Sequence, residues 1–589
     1  MLHRIFLFLF ISLNLVNCQM EKPYKAEIPA TFFFTLDSND EGLKSKWFQN
    51  SPANSALKPF STNLKDLKEK GAGWYFTQFQ IPPLPDPRLV LVFEAIDGKA
   101  EIWVNGRYVG HDKGEMKKFA LNISSGAHQG LNNLTLRISK GEKPGTIPGK
   151  IYLERYDEKI HQLKGPLHKS IARQSEPWVK DAVIYEVFVR SFSPEGTFKG
   201  VEKQLPRLKK LGVSVVWLMP VHPVGYKNHK GLLGSPYAVR DFYAVNPHFG
   251  TMQDFKDLVK ATHDLGMRII IDIVANHTAW DGPMFEEHPE WYTKNKKGEI
   301  THPVGTDWTD VADLNYDVPE LRKYMADMLA WWIREIDLDG FRCDVAEMVP
   351  LDFWETVRSE LDLIKPIIML AEGAAPELQM HAFDMTYSWS VYHAGRHVFE
   401  QDFPADHLVF AENSERNKFP QNSAILHFSS NHDENAWQSP SPEMYGEQGM
   451  KAAAVLSFTF PGVPLIYNGQ EVSNPKTLKL FEAIKIDWSQ DTQNMTELYS
   501  QLAQVRRQFA AFTQGQINYV ATGAESEIIA FYRILDAQKL LVVVNVKNVA
   551  ASFSLPVKSE NINPLVGDLK MNEDSFQLPA FGYFIGEVQ

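Results

Sequence analysis

Four short polar clusters interrupt apolar runs in the middle of the chain: Asp272-Ile-Val-Ala-Asn276-His277, Gly340-Phe-Arg342-Cys-Asp344, Ala371-Glu372 and Asn431-His432-Asp433. Their carboxyl groups have the makings of glycosidic-bond cleavage with retention of configuration. That reaction needs one ionised carboxylate to attack the anomeric carbon and one protonated carboxyl to serve the leaving oxygen, roughly 5–5.5 Å apart. Asp344 stands two residues from Arg342, so on a strand both side chains share a face. A guanidinium there would keep the carboxylate charged and fix its aim. Glu372 follows the apolar run Ile367–Ala371, and a carboxyl entering an apolar rim beside other acids tends to hold its proton. Asp433, flanked by His432, suits sugar hydroxyls and an oxocarbenium-like transition state. One such cluster alone could be a loop cap; four in this order are specific.

The elements that must position these clusters are strands alternating with helices. Candidate strands are Val183–Val189, Val213–Met219, Arg268–Val274, Gly340–Cys343, Ile367–Ala371, Ala382–Thr386, Ala424–Phe428 and Val463–Ile466. Several are continuous apolar runs, as parallel strands buried on both faces require. Between them, Pro319–Ile336 reads as a helix, with Pro at its start and an apolar stripe through Leu321, Met325, Leu329 and Trp332. Eight strands with crossover helices predict a (β/α)8 barrel, whose active sites form at the C-terminal ends of the strands. The clusters follow the third, fourth, fifth and seventh strands. An oversized loop at 278–312 predicts an inserted subdomain.

The flanks are β-rich, so the fold class is multidomain α/β and β. Residues 19–156 alternate apolar and polar positions between turns, and Ile102-Trp103-Val104, Asn105-Gly106, Arg107-Tyr108-Val109 reads as a tight hairpin. This is an N-terminal β-sandwich, and the stretch from Phe93 to Gly106 resembles the galactose-binding-like sandwiches that precede many glycosidase barrels. Sugar binding and simple packing are both open to it. A polar linker at 157–176 leads into the catalytic barrel at 177–511. Residues 512–589 form a C-terminal antiparallel β-domain, with strands expected at Glu527–Ile534, Leu540–Val546, Ser552–Leu555 and Phe576–Ile585.

Composition fits this plan. A length of 589 residues calls for several domains, and 44% hydrophobic with 22% charged residues is globular. The 14 Trp could be sugar platforms as well as core. A net charge of −12 excludes a nucleic-acid partner, which needs a clustered basic face. At the N-terminus, His3 and Arg4 precede an apolar run, Ile5–Val16, matched to a signal peptide and too short for a permanent span. Residues 1–18 are therefore read as a signal peptide and the protein as exported, to the periplasm, the cell surface or the medium. Leu15-Val16-Asn17-Cys18 resembles a bacterial lipoprotein box, although Asn17 stands where Gly, Ala or Ser is usual. Cys18 then carries a lipid anchor, with ordinary cleavage nearby as the alternative. Cys343, inside an apolar strand, is expected as a buried free thiol.

The barrel resembles glycoside hydrolase family 13, the α-amylase family, from about Trp178 to Trp488. Besides the four clusters, the resemblance rests on Gly196-Thr-Phe-Lys-Gly200, Gly212-Val-Ser-Val-Val-Trp-Leu-Met-Pro220, Ser235-Pro-Tyr237-Ala-Val-Arg-Asp241, Ala312-Asp-Leu-Asn315 and Pro461-Gly-Val-Pro-Leu-Ile-Tyr-Asn-Gly-Gln-Glu471. It implies Asp344 as nucleophile, Glu372 as acid/base and Asp433 as transition-state stabiliser. Arg342, His277 and His432 would contact the −1 sugar, on which Tyr237 stacks. The chemistry needs no cofactor, and Asn276 matches a ligand of the family's structural calcium. The substrate implied is an α-glucan or maltooligosaccharide.

Departures narrow this. Where many α-amylases carry Lys-His after the nucleophile, this chain has Glu347 and Met348. The leaving-group side therefore differs, and short oligosaccharides or cyclodextrins become plausible substrates. Glu347 is expected at the cleft rim, accepting hydrogen bonds from sugar and helping Glu372 keep its proton; a solvated loop acid is the alternative. A transglycosylase or glucosyl isomerase would use the same carboxylates, whereas a glucan-binding homologue without activity would not need them all. If Cys18 is lipidated, labelled fatty acid will incorporate and the mature chain will begin at Cys18; a mature N-terminus beyond it would identify a freely soluble product.

Overall fold

The computed structural model describes residues 165–572 and 575–589 and, before them, 24–29, 31–38, 70–82, 89–112, 116–123, 127–156 and a few residues between. The signal segment, Cys18 and the linker up to residue 164 lie outside the described residues.

Eight parallel strands close a barrel: Ile184–Val187, Val215–Leu218, Arg268–Ile273, Gly340–Cys343, Ile368–Ala371, Met385–Tyr387, Ala424–His427 and Val463–Tyr467. Each lies within or beside a run expected from sequence, and nearly every strand residue is buried. The strands are short because their polar ends belong to the site rather than to the ladder. Register then does specific work. Asp272 on the third strand is paired with Arg342 on the fourth, and Cys343 with Ala371 on the fifth. Gly340 opens the fourth strand at φ 139°, where a Cβ would meet the Ile368 carbonyl oxygen at 1.8 Å. Only glycine lets the two strands approach so closely there.

The helix Pro319–Ile336 has the predicted bounds, and its buried stripe includes Leu321, Met325, Leu329 and Trp332. It ends on Asp337 in the left-handed region, the conformation that commonly stops a helix. The helix Met252–Asp264 begins with a reciprocal capping box between Thr251 and Asp254. Within the loop expected as an insertion, His277–Ala279 pairs antiparallel with Val311–Asp313 around a short helix, Pro283–Glu287.

The N-terminal residues form two facing antiparallel sheets around Tyr75, Leu91, Phe93, Ile102, Leu136 and Leu153. The Asn105-Gly106 hairpin joins Lys99–Val104 to Arg107–Asp112, with φ 49° and 78° at its two central residues, as a type I′ turn demands. This sandwich docks on the barrel helix Asp406–Lys418, whose Phe410 is buried against Val90, Val92, Tyr152 and Tyr156. The C-terminal part has a five-stranded and a three-stranded sheet. The expected run Phe576–Ile585 divides into Ser575–Leu578 and Tyr583–Val588, because Pro579 and the positive φ of Phe581 turn the chain between them. Gln516–Tyr519, Ile562–Gly567 and Lys570–Asn572 are further strands that the sequence reading lacked. Cys343 is a buried free thiol. Among the described residues no helix is long and apolar enough to cross a membrane.

Candidate active site

The four clusters converge at the C-terminal mouth of the barrel on one side chain. Arg342 is fully buried, and its Nη1 donates to both oxygens of Asp272 (2.9 and 3.0 Å) and to Asp344 Oδ1 (2.8 Å). Its Nη2 lies 2.9 Å from Glu372 Oε2, an ion-pair contact without hydrogen-bond alignment. Nε donates to the Tyr387 hydroxyl at 3.2 Å. The rings of Trp217, Tyr237 and Tyr387 lie 5.3–5.9 Å from the guanidinium carbon, within the range of cation–π attraction.

Asp344 emerges at the end of the fourth strand with its amide bonded to the Ile273 carbonyl, and Glu372 at the end of the fifth with its amide on the Cys343 carbonyl. Between the two acids sits Val345 at φ 37°, ψ 48°, a left-handed conformation uncommon for a β-branched residue. That turn aims the Val345 N–H at Glu372 Oε2, 2.8 Å away. Backbone strain of about 1–3 kcal/mol is typical where geometry is held for function.

Burial dominates the titration of these acids. It pushes Asp344 up to about 6, against the pull of Arg342 and with help from Asp272 and Asp433. Arg342 opposes this shift without cancelling it, so Asp344 still ionises below neutrality. Burial pushes Glu372 to about 7, again opposed by Arg342 and reinforced by Asp344 and Asp433. The order is the useful one: Asp344 ionises before Glu372. Asp272, with no exposure, is raised to about 6 by burial despite Arg342.

A second chain of contacts runs across the site. His432 Nδ1 bonds Glu186 Oε1 at 2.5 Å, while Nε2 lies 2.7 Å from the Tyr237 hydroxyl and 3.3 Å from Asp433 Oδ2. Tyr237 in turn donates to Asp272 Oδ2 at 3.0 Å. Burial works against a charged His432, but Asp433 and Glu186 outweigh it and hold the imidazolium. For Asp433, burial is overcome by His432 and Arg342, so it stays ionised, with its side chain a third exposed toward the mouth. Tyr237 stacks on His432 at 5.4 Å and 22°, and remains partly exposed. His277 is buried beside Trp308, bonds the Tyr237 backbone, and is pushed down to about 3 by burial, hence neutral.

Two predicted residues serve differently from expectation. Glu347 is at the rim, but its Oε1 accepts the Ala374 and Ala375 amides at 2.6 and 2.7 Å. It clamps the loop that follows Glu372 instead of presenting that oxygen to sugar, and the acids acting on Glu372 are Asp344 and Asp433. Asn276 has its amide nitrogen 3.3 Å from His277 Nδ1. A calcium ion takes six to eight oxygen ligands, and among the described residues no three His, Cys, Asp or Glu side chains cluster as ligands. Calcium at Asn276 therefore rests on the sequence resemblance alone. Glu186 was missed from sequence, and so was the link from Asp272 to Arg342 and Tyr237. Glu186 is an acid within a fully buried barrel strand, and that was the available signal.

The comparisons with known proteins agree with this geometry. The family profile described as alpha amylase, catalytic domain, matches residues 169–514. An α-amylase of Haloarcula japonica is 28% identical over 67% of the chain, which spans 59% of that amylase's own length. A cyclomaltodextrinase of Geobacillus thermopakistaniensis is 26% identical over 72% of the chain and 79% of its own. Among solved structures, an α-amylase from Lactobacillus plantarum superposes with a TM-score of 0.65 at 29% identity, over 70% of this chain and all of that one. A maltogenic α-amylase from Thermotoga neapolitana gives 0.62 at 32% identity, over 70% of this chain and 97% of that one.

The raised pKa values of the buried carboxyls imply a stability cost at the site. Glu372 carries about 7 in the fold against 4.5 for a free side chain. Its neutral form is therefore favoured in the fold, and stability is lost as pH rises from the unfolded value through the folded one. Glu372→Gln, isosteric and always neutral, will melt at a higher temperature than the parent at pH 8, and the gain will shrink toward zero at pH 4.5. A gain that is equal at both pH values, or absent at both, contradicts the burial-driven shift.

Proposed function

The chain belongs to the α-amylase family of glycoside hydrolases, and on that premise we propose that it cleaves α-glucosidic bonds, mainly α-1,4, in starch-derived glucans or maltooligosaccharides by double displacement. Asp344 attacks the anomeric carbon while Glu372 delivers its proton to the leaving oxygen. Glu372 then takes a proton from water, which opens the glycosyl ester. Asp433 and His432 steady the oxocarbenium-like transition state, and Tyr237 offers its partly exposed ring to the sugar.

The observation that carries this reading is the shared guanidinium. Adjacent nitrogens of Arg342 hold Asp344 and Glu372, which favours the separation of about 5–5.5 Å used for retention over the wider gap of about 6.5–9.5 Å that an inverting water needs. The order of ionisation supports the same division of labour. At a pH between about 6 and about 7 the fraction with Asp344 charged and Glu372 protonated is largest, because a nucleophile must be ionised and a general acid must not. Relatives named amylase, cyclomaltodextrinase and maltogenic amylase support a glucan substrate. Export, with or without a lipid at Cys18, is part of the proposal and rests on the N-terminal sequence.

Maltooligosaccharides, cyclodextrin, pullulan and starch, followed by NMR, test the reading. The α-anomer will be released first, and Asp344→Asn will lower kcat at least about 100-fold, a barrier increase of about 2.7 kcal/mol, with the fold intact. Initial release of the β-anomer, or an Asp344→Asn variant retaining more than that activity, would overturn the mechanism.

A further inference from the structure

Beside Glu372 the structure has a cleft of about 610 Å³ that two domains build together. The barrel contributes Glu372, Glu347, Trp389, His393 and Lys418. The N-terminal sandwich contributes His111, with Gly110, from the return strand of the Asn105-Gly106 hairpin. Of the catalytic carboxyls the lining includes Glu372 alone; Asp344 and Asp433 are not part of it, nor are Tyr237, His277 and His432. The cleft therefore meets the catalytic cluster on its Glu372 side. Glu372 faces the oxygen that departs, so this is the side on which leaving-group sugars lie.

Its chemistry suits a pyranose. Trp389 is partly exposed, with His393 stacked on it at 5.9 Å and 20°, and an aromatic plane accepts the C–H face of a sugar. Lys418 supplies a cationic donor and is tied to the Ala374 carbonyl at 3.0 Å. Glu347 accepts the Ala374 and Ala375 amides of the same loop, so the floor is fixed from both sides. The volume falls in the range of about 300–1,000 Å³ typical of small-molecule pockets, which suits a few sugar units and not an unbounded polymer groove.

The sandwich wall is anchored. Helix Asp406–Lys418 carries Phe410, which the sandwich buries, and also Lys418, which lines the cleft. The domain contact and the cleft thus share one rigid element, so the hairpin is held opposite the barrel rim rather than on a free tether.

We propose that the N-terminal sandwich is part of the substrate site of its own chain: the strand around His111 forms the far wall of the leaving-group side and contacts sugars there. This rests on the glycosidase reading and assigns to the first domain a role in choosing the leaving group.

The test compares two substrates on the full chain. An aryl α-maltoside has a single flat ring as leaving group, seated against Glu372, whereas maltohexaose extends further into the cleft. His111→Ala will lower kcat/KM for maltohexaose by about 3- to 10-fold, the worth of one hydrogen bond, and leave the aryl maltoside within about twofold. His111→Gln, which keeps a donor and an acceptor, will recover most of the loss. Equal effects on both substrates, or no effect on either, overturn the proposal and leave the sandwich as packing. If the parent cleaves neither substrate, the α-glucan reading itself fails. The wall is then judged by calorimetric binding of maltohexaose, which His111→Ala must weaken by the same factor; unchanged binding overturns it.

Discussion

A guanidinium has no neutral form at any ordinary pH, so Arg342, sealed inside the barrel with no exposure, can be buried only if its neighbours neutralise it. Three carboxyls from three different strands do so: Asp272, Asp344 and Glu372. The requirement is mutual. Each acid is also out of water, and truncating Asp272 or Asp344, which share Nη1, would leave the buried guanidinium short of counter-charge, a loss of typically about 3–5 kcal/mol. Strand register, the Gly340 contact and the strained turn at Val345 are what place these groups around one planar cation. The site is thus a condition for closing the barrel mouth as well as a use of it.

The same burial that makes the cluster hazardous makes it selective. In water Asp344 and Glu372 would both be ionised near neutrality and could not divide an acid's work from a nucleophile's. Desolvation raises both, and their mutual repulsion with Asp433 keeps them from ionising together. Asp433 escapes because His432 lies beside it, and His432 stays charged because Asp433 faces it on one side and Glu186 on the other. An acid buried in the first strand therefore influences Asp433 after the seventh. Such carboxyls lower the stability of the fold at neutral pH, the common cost of preorganised charge.

Much of this was legible in the sequence because short-range rules governed it. The alternation from Arg342 to Asp344 placed both on one face, and Nη1 meets Oδ1 at 2.8 Å. Pro at the start of Pro319–Ile336, an apolar stripe and Asn-Gly at 105–106 each specify a local geometry that tertiary structure had no reason to override. What stayed hidden depends on contacts distant in the chain. Glu186 and His432 are 246 positions apart, and nothing beside Glu186 in Ile184–Val187 announces its partner. Glu347 looked like a rim acid, and which amides it would cap depended on how the loop after Glu372 folds back. Asn276 matched a ligand by position, but a cation needs converging oxygens, and those are set by the fold of the inserted loop. In the C-terminal domain, Ile562–Gly567 is half exposed and contains Pro564, so its alternation was too weak to read as a strand.

The account stands or falls on which carboxylate bonds to the sugar. An activated fluorosugar, which forms the glycosyl-enzyme quickly and releases it slowly, would trap that bond for peptide mapping by mass spectrometry. The predicted result is one added glycosyl group on the peptide containing Asp344, with none on the peptides containing Asp272, Glu372 or Asp433. Label on any of those three, or turnover with no covalent species formed, would contradict the arrangement around Arg342 as the machinery of double displacement.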